Sequence, residues 1–307
     1  MKIHLAGVRG FCAGVDRAIA VVEKALERFG SPVYVRHEIV HNRTVCNDLR
    51  KKGAIFVEEL SEVPDGALVI FSAHGVSRAV VNDAGERGLQ TLDATCPLVT
   101  KVHMEAKALE RRGWRLILIG HKGHPEVEGT MGQVDAPMTL IGTEQEVEAL
   151  DWPADSQVAY VTQTTLSVDE TKDIIEALKR KFPSLKTPPK EDICYATTNR
   201  QKSVKELIDD VDVLIVLGAP NSSNSRRLQE LGERKGIQSY LVEGVSDIRD
   251  EWVKGAENVG VTSGASAPES LVQEVVAWLQ ERHGGTLATP LDRTAEHVEF
   301  PLPKALK

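Results

Sequence analysis

Apolar positions along the chain alternate between two spacings. Short runs of branched and aromatic residues read as strands: Val33-Tyr34-Val35, Leu68-Val69-Ile70-Phe71, Leu116-Ile117-Leu118-Ile119, Val158-Ala159-Tyr160-Val161, Val213-Leu214-Ile215-Val216-Leu217 and Val259-Gly260-Val261. Between them, apolar residues recur every third or fourth position, the spacing of an amphipathic helix. Val15, Ala18, Ile19, Val22, Leu26 and Phe29 share one such face, Val99, Val102, Ala106 and Leu109 a second, and Val204, Leu207, Ile208 and Val211 a third. The opening Lys2-Ile3-His4-Leu5 also reads as a strand. Alternating strands and helices predict an α/β fold with largely parallel sheets.

The alternation repeats. Each of the three helical faces follows a cysteine: Cys12, Cys96 or Cys194. Each helix leads to a strand and a polar turn carrying His41, His124 or Asn224, about 30 residues past the cysteine, and then to a second strand. That strand runs into Ser72-Ala73-His74-Gly75, Thr162-Gln163-Thr164-Thr165 or Thr262-Ser263-Gly264-Ala265-Ser266-Ala267-Pro268, with another helix beyond. The expected organisation is three similar α/β domains, residues 13–95, 96–193 and 194–285, the last taking in the N-terminal strand 1–12, followed by a tail, 286–307. Ligands of open α/β sheets bind beyond the carboxyl ends of the strands. Three units around an axis would aim three cysteines and six polar turns at one cavity.

Composition narrows the function classes. The 307 residues carry a formal charge of −8, with 41% apolar, 27% charged and only 5% aromatic residues. An acidic chain poor in stacking side chains argues against nucleic acid and against an anionic membrane surface as partner. A small anionic molecule bound at a local donor-rich site is compatible with it. No apolar run reaches membrane-span length, and the N-terminus does not read as a targeting peptide, so a cytoplasmic location is expected.

A thiol at a helix start faces unpaired N–H groups and about half a positive charge, which favours the thiolate. Thiolates are soft ligands that suit zinc or an iron–sulfur cluster. Structural zinc usually takes four protein ligands, often as close pairs. Here three cysteines stand far apart, and a cubane cluster on them would keep one iron open. Cys46, inside a probable helix, reads as a packed thiol. No Gly-rich nucleotide loop is present, so phosphate binding would fall to side chains and turn N–H groups. Asn221-Ser222-Ser223-Asn224-Ser225 and Ser263-Gly264-Ala265-Ser266 open helices, where Ser and Asn serve either as caps or as anion ligands. His41, His74 and His124 follow strands. Glu126, just after Pro125, is either a first-turn acid favoured by the helix dipole or a proton donor with a raised pKa.

Taken together the motifs resemble those of the 4-hydroxy-3-methylbut-2-enyl diphosphate reductase family. They are Gly10-Phe11-Cys12-Ala13-Gly14-Val15, Ser72-Ala73-His74-Gly75-Val76, Asp93-Ala94-Thr95-Cys96-Pro97-Leu98-Val99, Gly123-His124-Pro125-Glu126, Thr162-Gln163-Thr164-Thr165, Cys194-Tyr195-Ala196-Thr197-Thr198-Asn199-Arg200-Gln201, Asn221-Ser222-Ser223-Asn224-Ser225 and Gly264-Ala265-Ser266-Ala267-Pro268. The resemblance runs to about Phe300. It implies a pseudo-threefold trefoil of three α/β domains around one [4Fe-4S] cluster on Cys12, Cys96 and Cys194. It implies a two-electron, two-proton reductive dehydroxylation that releases water and gives isopentenyl and dimethylallyl diphosphate, the last step of the non-mevalonate (methylerythritol phosphate) route to isoprenoids. By the same resemblance His41, His74, Ser222, Ser223, Asn224 and Ser266 bind the diphosphate, with His124 near the substrate. Glu126 is then the proton source, Thr164 holds and relays at the substrate hydroxyl, and ferredoxin or flavodoxin donates electrons. Two other readings stay open on the residues alone: a hydro-lyase using the open iron as a Lewis acid, and a non-catalytic zinc protein.

Overall fold

A computed structural model of the protein describes residues 1–288, 290 and 292–306. In chain order the first elements are β1 (Lys2–Leu5), α1 (Ala13–Phe29), β2 (Val33–Arg36), α2 (Arg43–Lys51), β3 (Ala54–Val57), β4 (Leu68–Phe71), α3 (Arg78–Glu86) and β5 (Gln90–Asp93). There follow α4 (Pro97–Glu110), β6 (Arg115–Ile119), α5 (Pro125–Met131), β7 (Met138–Ile141), α6 (Glu144–Glu148), β8 (Val158–Thr162) and α7 (Val168–Lys181). The last are α8 (Tyr195–Leu207), β9 (Val213–Leu217), α9 (Ser223–Arg234), β10 (Gln238–Val242), α10 (Asp250–Val253), β11 (Asn258–Ser263), α11 (Glu269–His283) and β12 (Thr286–Leu287).

The strands form three sheets, ordered β10-β9-β11-β1-β12, β3-β2-β4-β5 and β7-β6-β8, and every pairing in them is parallel. Parallel strands need crossovers, and helices return over the sheet faces. The chain divides into two compact units. Met1–Asp16, His41–Val45 and Tyr195–Glu299 make one, with the five-stranded sheet; Arg17–Val40, Cys46–Cys194 and Phe300–Lys307 make the other, with the four- and three-stranded sheets.

Side-chain alternation explains why central strands are apolar throughout. In the first unit Val213, Ile215 and Leu217 point to one face, under Leu271, Val272, Val275 and Leu279 of α11. Leu214 and Val216 point to the other, under Val204 and Leu207 of α8 and Leu228 and Leu231 of α9. In the second unit Ile117 and Ile119 pack with Ile174, Ala177 and Leu178 of α7, while Leu116 and Leu118 meet Val102, Ala106 and Leu109 of α4. Each fully buried Ile or Leu contributes about 1.5–3 kcal/mol of transfer free energy. One sequence expectation fails locally: Phe29, assigned to the core face of α1, is 48% exposed. It is the last residue of the helix, and the chain turns off at Gly30 (φ 76°) before any element covers it.

Candidate active site

Each of the three expected cysteine ligands stands directly ahead of a helix: Cys12 before α1, Cys96 as the N-cap of α4 and Cys194 before α8. Their carbonyls or neighbours start the helical ladder, as in Asp16 N–H to Cys12 O (3.0 Å) and Thr100 N–H to Cys96 O (2.9 Å). Each cysteine N–H in turn donates to a turn that follows a strand: Cys12 to Ala265 O (3.2 Å), Cys96 to Ala73 O (3.0 Å) and Cys194 to Thr164 O (3.0 Å). The repeat seen in the sequence is therefore a repeat of hydrogen bonding. All three are half-buried, whereas Cys46 is buried in α2, with its Sγ 3.6 Å from Val40 O and its thiol pushed up to about 11 by burial.

The helix-start argument predicted an acidic Cys12 thiol. The structure reverses the direction: burial raises its pKa, outweighing Arg200 and the N–H groups of Val15 and Gly14, which lower it. Desolvation disfavours the thiolate more than the helix start stabilises it.

In the second unit the expected residues are linked by direct contacts. Glu126, in the first turn of α5, is 3% exposed. Its Oε1 accepts from Thr164 N–H (2.6 Å) and its Oε2 from the Thr164 hydroxyl (3.0 Å). Burial pushes its pKa up to about 7, against those two hydrogen bonds, with buried Asp192 adding a smaller push upward. The raised pKa that the sequence allowed for Glu126 thus comes first from burial, without a bound anion beside it. His124 caps α5, its Nδ1 accepting from Glu126 N–H (3.1 Å). Its ring meets that of His74 edge-on, with centroids 5.8 Å apart. His74 Nδ1 lies 3.2 Å from Ser72 Oγ.

The backbone enforces this closeness. A Cβ on Gly129 of α5 would stand 3.1 Å from Gly75 O and 3.3 Å from Val76 N, so helix and turn touch main chain to main chain. Gly75, at φ 79°, is covered by the His103 ring, which a Cβ there would strike at 2.7 Å. His103 is buried, and desolvation holds its pKa down at about 4, so it packs as a neutral ring.

The remaining expected residues lie in the first unit. Ser222 caps α9, accepting from Ser225 N–H (3.4 Å) and from the Ser225 hydroxyl (3.0 Å). Ser223, Asn224 and Ser266 are also buried. Ser266 Oγ donates to His41 O (3.0 Å), and His41 Nδ1 accepts from Asn221 Nδ2 (3.1 Å). Asn224 is different from these: both its amide atoms are buried with no hydrogen-bond partner among the described residues. Leaving such atoms unpaired costs about 1–3 kcal/mol, a burden that a polar ligand would remove.

Sequence reasoning missed Asp192. Its Oδ2 accepts from Thr162 N–H (2.9 Å), its Oδ1 pairs with Lys101 (2.6 Å), and its side chain is fully buried. The available signal was an acid shortly before an expected ligand cysteine, in Asp192-Ile193-Cys194 as in Asp93-Ala94-Thr95-Cys96. There Asp93 Oδ1 accepts from Thr95 N–H (2.8 Å).

The model of the LytB protein family matches residues 3–280. The chain belongs to the LytB family. LytB relatives described as 4-hydroxy-3-methylbut-2-enyl diphosphate reductase include one from Klebsiella pneumoniae, 57% identical across all of this chain and 98% of its own length. Another, from Escherichia coli, is 56% identical with the same coverage. Among solved structures, the E-1-hydroxy-2-methyl-but-2-enyl-4-diphosphate reductase of Plasmodium falciparum superposes with a TM-score of 0.95 at 39% identity, over 99% of this chain and 96% of that one. A second, described as the terminal enzyme of the non-mevalonate pathway, gives a TM-score of 0.64 at 33% identity, over 92% of this chain and all of its own.

The donor set suits the iron–sulfur group that the resemblance implies: three half-buried thiols, each at a helix start, where N–H groups would favour an anionic cluster. Among the described residues no three His, Cys, Asp or Glu side chains gather as a single-ion site. A four-iron cluster makes a different demand, since each thiolate attaches to its own iron. No helix of the described residues is long and apolar enough to cross a membrane.

Proposed function

We propose that this LytB protein reduces 4-hydroxy-3-methylbut-2-enyl diphosphate to isopentenyl and dimethylallyl diphosphate, with loss of the hydroxyl as water. Cys12, Cys96 and Cys194 are the proposed ligands of one [4Fe-4S] cluster. When bound, the cluster supplies the electrons, and its fourth iron, without a protein ligand, supplies Lewis acidity. The reductant is expected to be a small electron-carrier protein such as ferredoxin or flavodoxin.

The observation that carries this reading is the Glu126–Thr164 pair. A carboxyl buried at 3% exposure and titrating near 7 is a competent proton donor at neutral pH. Its two oxygens are both held by Thr164, so a proton on Glu126 has a defined neighbour at the Thr164 hydroxyl. The allylic hydroxyl needs such a donor, because hydroxide is a poor leaving group and water a good one. The pair is joined through the backbone to Cys194, and through His124 and His74 to the turn that accepts the Cys96 N–H. Diphosphate binding is assigned to His41, His74, Ser222, Ser223, Asn224 and Ser266, with His124 beside the substrate. Asn224 supplies the supporting fact: among the described residues its two buried amide atoms have no hydrogen-bond partner.

An anaerobic assay with the hydroxylated allylic diphosphate and a reduced viologen dye tests the proposal. Dye oxidation matched by formation of the two C5 diphosphates is expected. Conversion of the substrate without any electron donor would replace the reductase reading with a hydro-lyase.

A further inference from the structure

The residues that hold the three cysteine loops form a pattern that the catalytic reading leaves unused. Arg17 lies five residues past Cys12, Lys101 five past Cys96 and Arg200 six past Cys194, each on the helix its cysteine opens. Each reaches the loop that precedes a different cysteine, although Arg200 also donates to Ala196 O (2.9 Å), one turn back on its own helix. Arg17 donates to Thr95 O (3.1 Å) and Asp93 O (3.4 Å), the carbonyls just before Cys96. Lys101 donates to Lys190 O (2.6 Å), Glu191 O (3.3 Å) and Asp192 Oδ1 (2.6 Å), just before Cys194. Arg200 donates twice to Gly10 O (2.6 and 3.2 Å), two residues before Cys12.

The assignments run in cyclic order: the helix of Cys12 holds the loop of Cys96, that of Cys96 the loop of Cys194, and that of Cys194 the loop of Cys12. Each cation is anchored by a further acceptor. Arg17 also donates to Pro301 O (2.8 Å), Lys101 pairs with Glu105 Oε2 (3.6 Å), and Arg200, itself fully buried, pairs with Glu296 Oε2 (3.0 Å). One cation on a loop carbonyl is commonplace. Three at nearly the same helical position, each on the loop of the next cysteine, indicate a shared purpose. Charge-assisted bonds are roughly twice as strong as neutral ones, which suits them to fixing irregular backbone.

We propose that Arg17, Lys101 and Arg200 are positioning residues that make the three cysteine loops mutually dependent, each ligand being set by the helix of another. The inference rests on the cluster reading above, but its first test does not. In cluster-free protein, residue-resolved hydrogen exchange is followed at the Cys12, Cys96 and Cys194 amides. Arg17→Met is expected to speed exchange at Cys96, Lys101→Met at Cys194 and Arg200→Met at Cys12, each about tenfold, with the other two amides unchanged. Lys101→Arg is expected to restore slow exchange at Cys194. Because Arg200 is buried and its loss threatens folding itself, the half-buried Arg17 and Lys101 carry the test. Exchange that rises evenly over all three amides, or only at the cysteine of the substituted helix, overturns the inference.

The second test reconstitutes the protein with iron and sulfide anaerobically and measures iron loss to a chelator. Each variant is expected to lose iron about fivefold or more faster than the parent. Unchanged iron loss alongside the expected exchange pattern overturns the positioning role while sparing the proposed function. A parent protein that takes up no cluster overturns both.

Discussion

The Glu126–Thr164 pair and the turn around Asn224 are both buried and polar, yet they differ in how their hydrogen bonds are spent. At Glu126 both carboxylate oxygens are occupied by one residue, Thr164, and burial holds the pKa near 7. At Asn224 the serines are bonded to one another and to backbone, but the amide has no partner among the described residues. A group that handles a proton must be held in place before substrate arrives. A group that binds must keep capacity in reserve, at a cost in stability. The first site is complete as it stands; the second keeps two amide atoms unspent, which suits the proposed diphosphate contact.

The sharpest way to break this contrast is Glu126→Gln. Turnover is expected to fall about 10²- to 10⁴-fold while the iron–sulfur absorbance persists. Turnover near the parent level would remove Glu126 from the chemistry. Asn224→Ala should do the opposite in kind: KM rises about tenfold with kcat nearly kept, read by steady-state kinetics. Its ligand-free melting temperature should hold or rise, because an unpaired amide has gone. A loss of several degrees would show that Asn224 has a structural partner after all.

A pH profile sharpens the comparison further. As the proposed proton donor, Glu126 would act in its protonated form, which is lost as pH rises through about 7. The parent kcat/KM should therefore fall up to about tenfold per pH unit above that value, and the residual rate of Glu126→Gln should be flat there. Its raised pKa also means the folded protein binds this proton more tightly than the unfolded chain. Its contribution to stability is present at low pH and declines as pH rises from the ordinary carboxyl range towards 7. The smallest effect belongs to Cys46→Ala, expected to cost about 1 kcal/mol in denaturant unfolding and to leave iron content and turnover unchanged.

How far these sites could be read from sequence follows from burial. Each strand named from its apolar run is present. The strands that were not named, β3, β5, β7, β10 and β12, are all at sheet edges. Gln90-Thr91-Leu92-Asp93 buries one residue in four, so it has no run to detect. Helix starts at the three cysteines were legible because each cysteine precedes a clean helical period. The direction of the Cys12 shift was not, since the burial that dominates it comes from tertiary packing that sequence does not place. Arg17, Lys101 and Arg200 escaped notice for a related reason: a Lys or Arg on a helix reads as solvated surface until its acceptors, distant in sequence, are known.

The contact between Gly129 and Gly75 has a consequence for how this chemistry could be retuned. The helix bearing Glu126 rests directly on the peptide group beside His74, so their separation is set by the thickness of two main chains. Neither side offers a rotamer through which the gap could adjust. A single methyl at position 129 would act as a shim, lifting the acid away from the imidazole by a fixed increment.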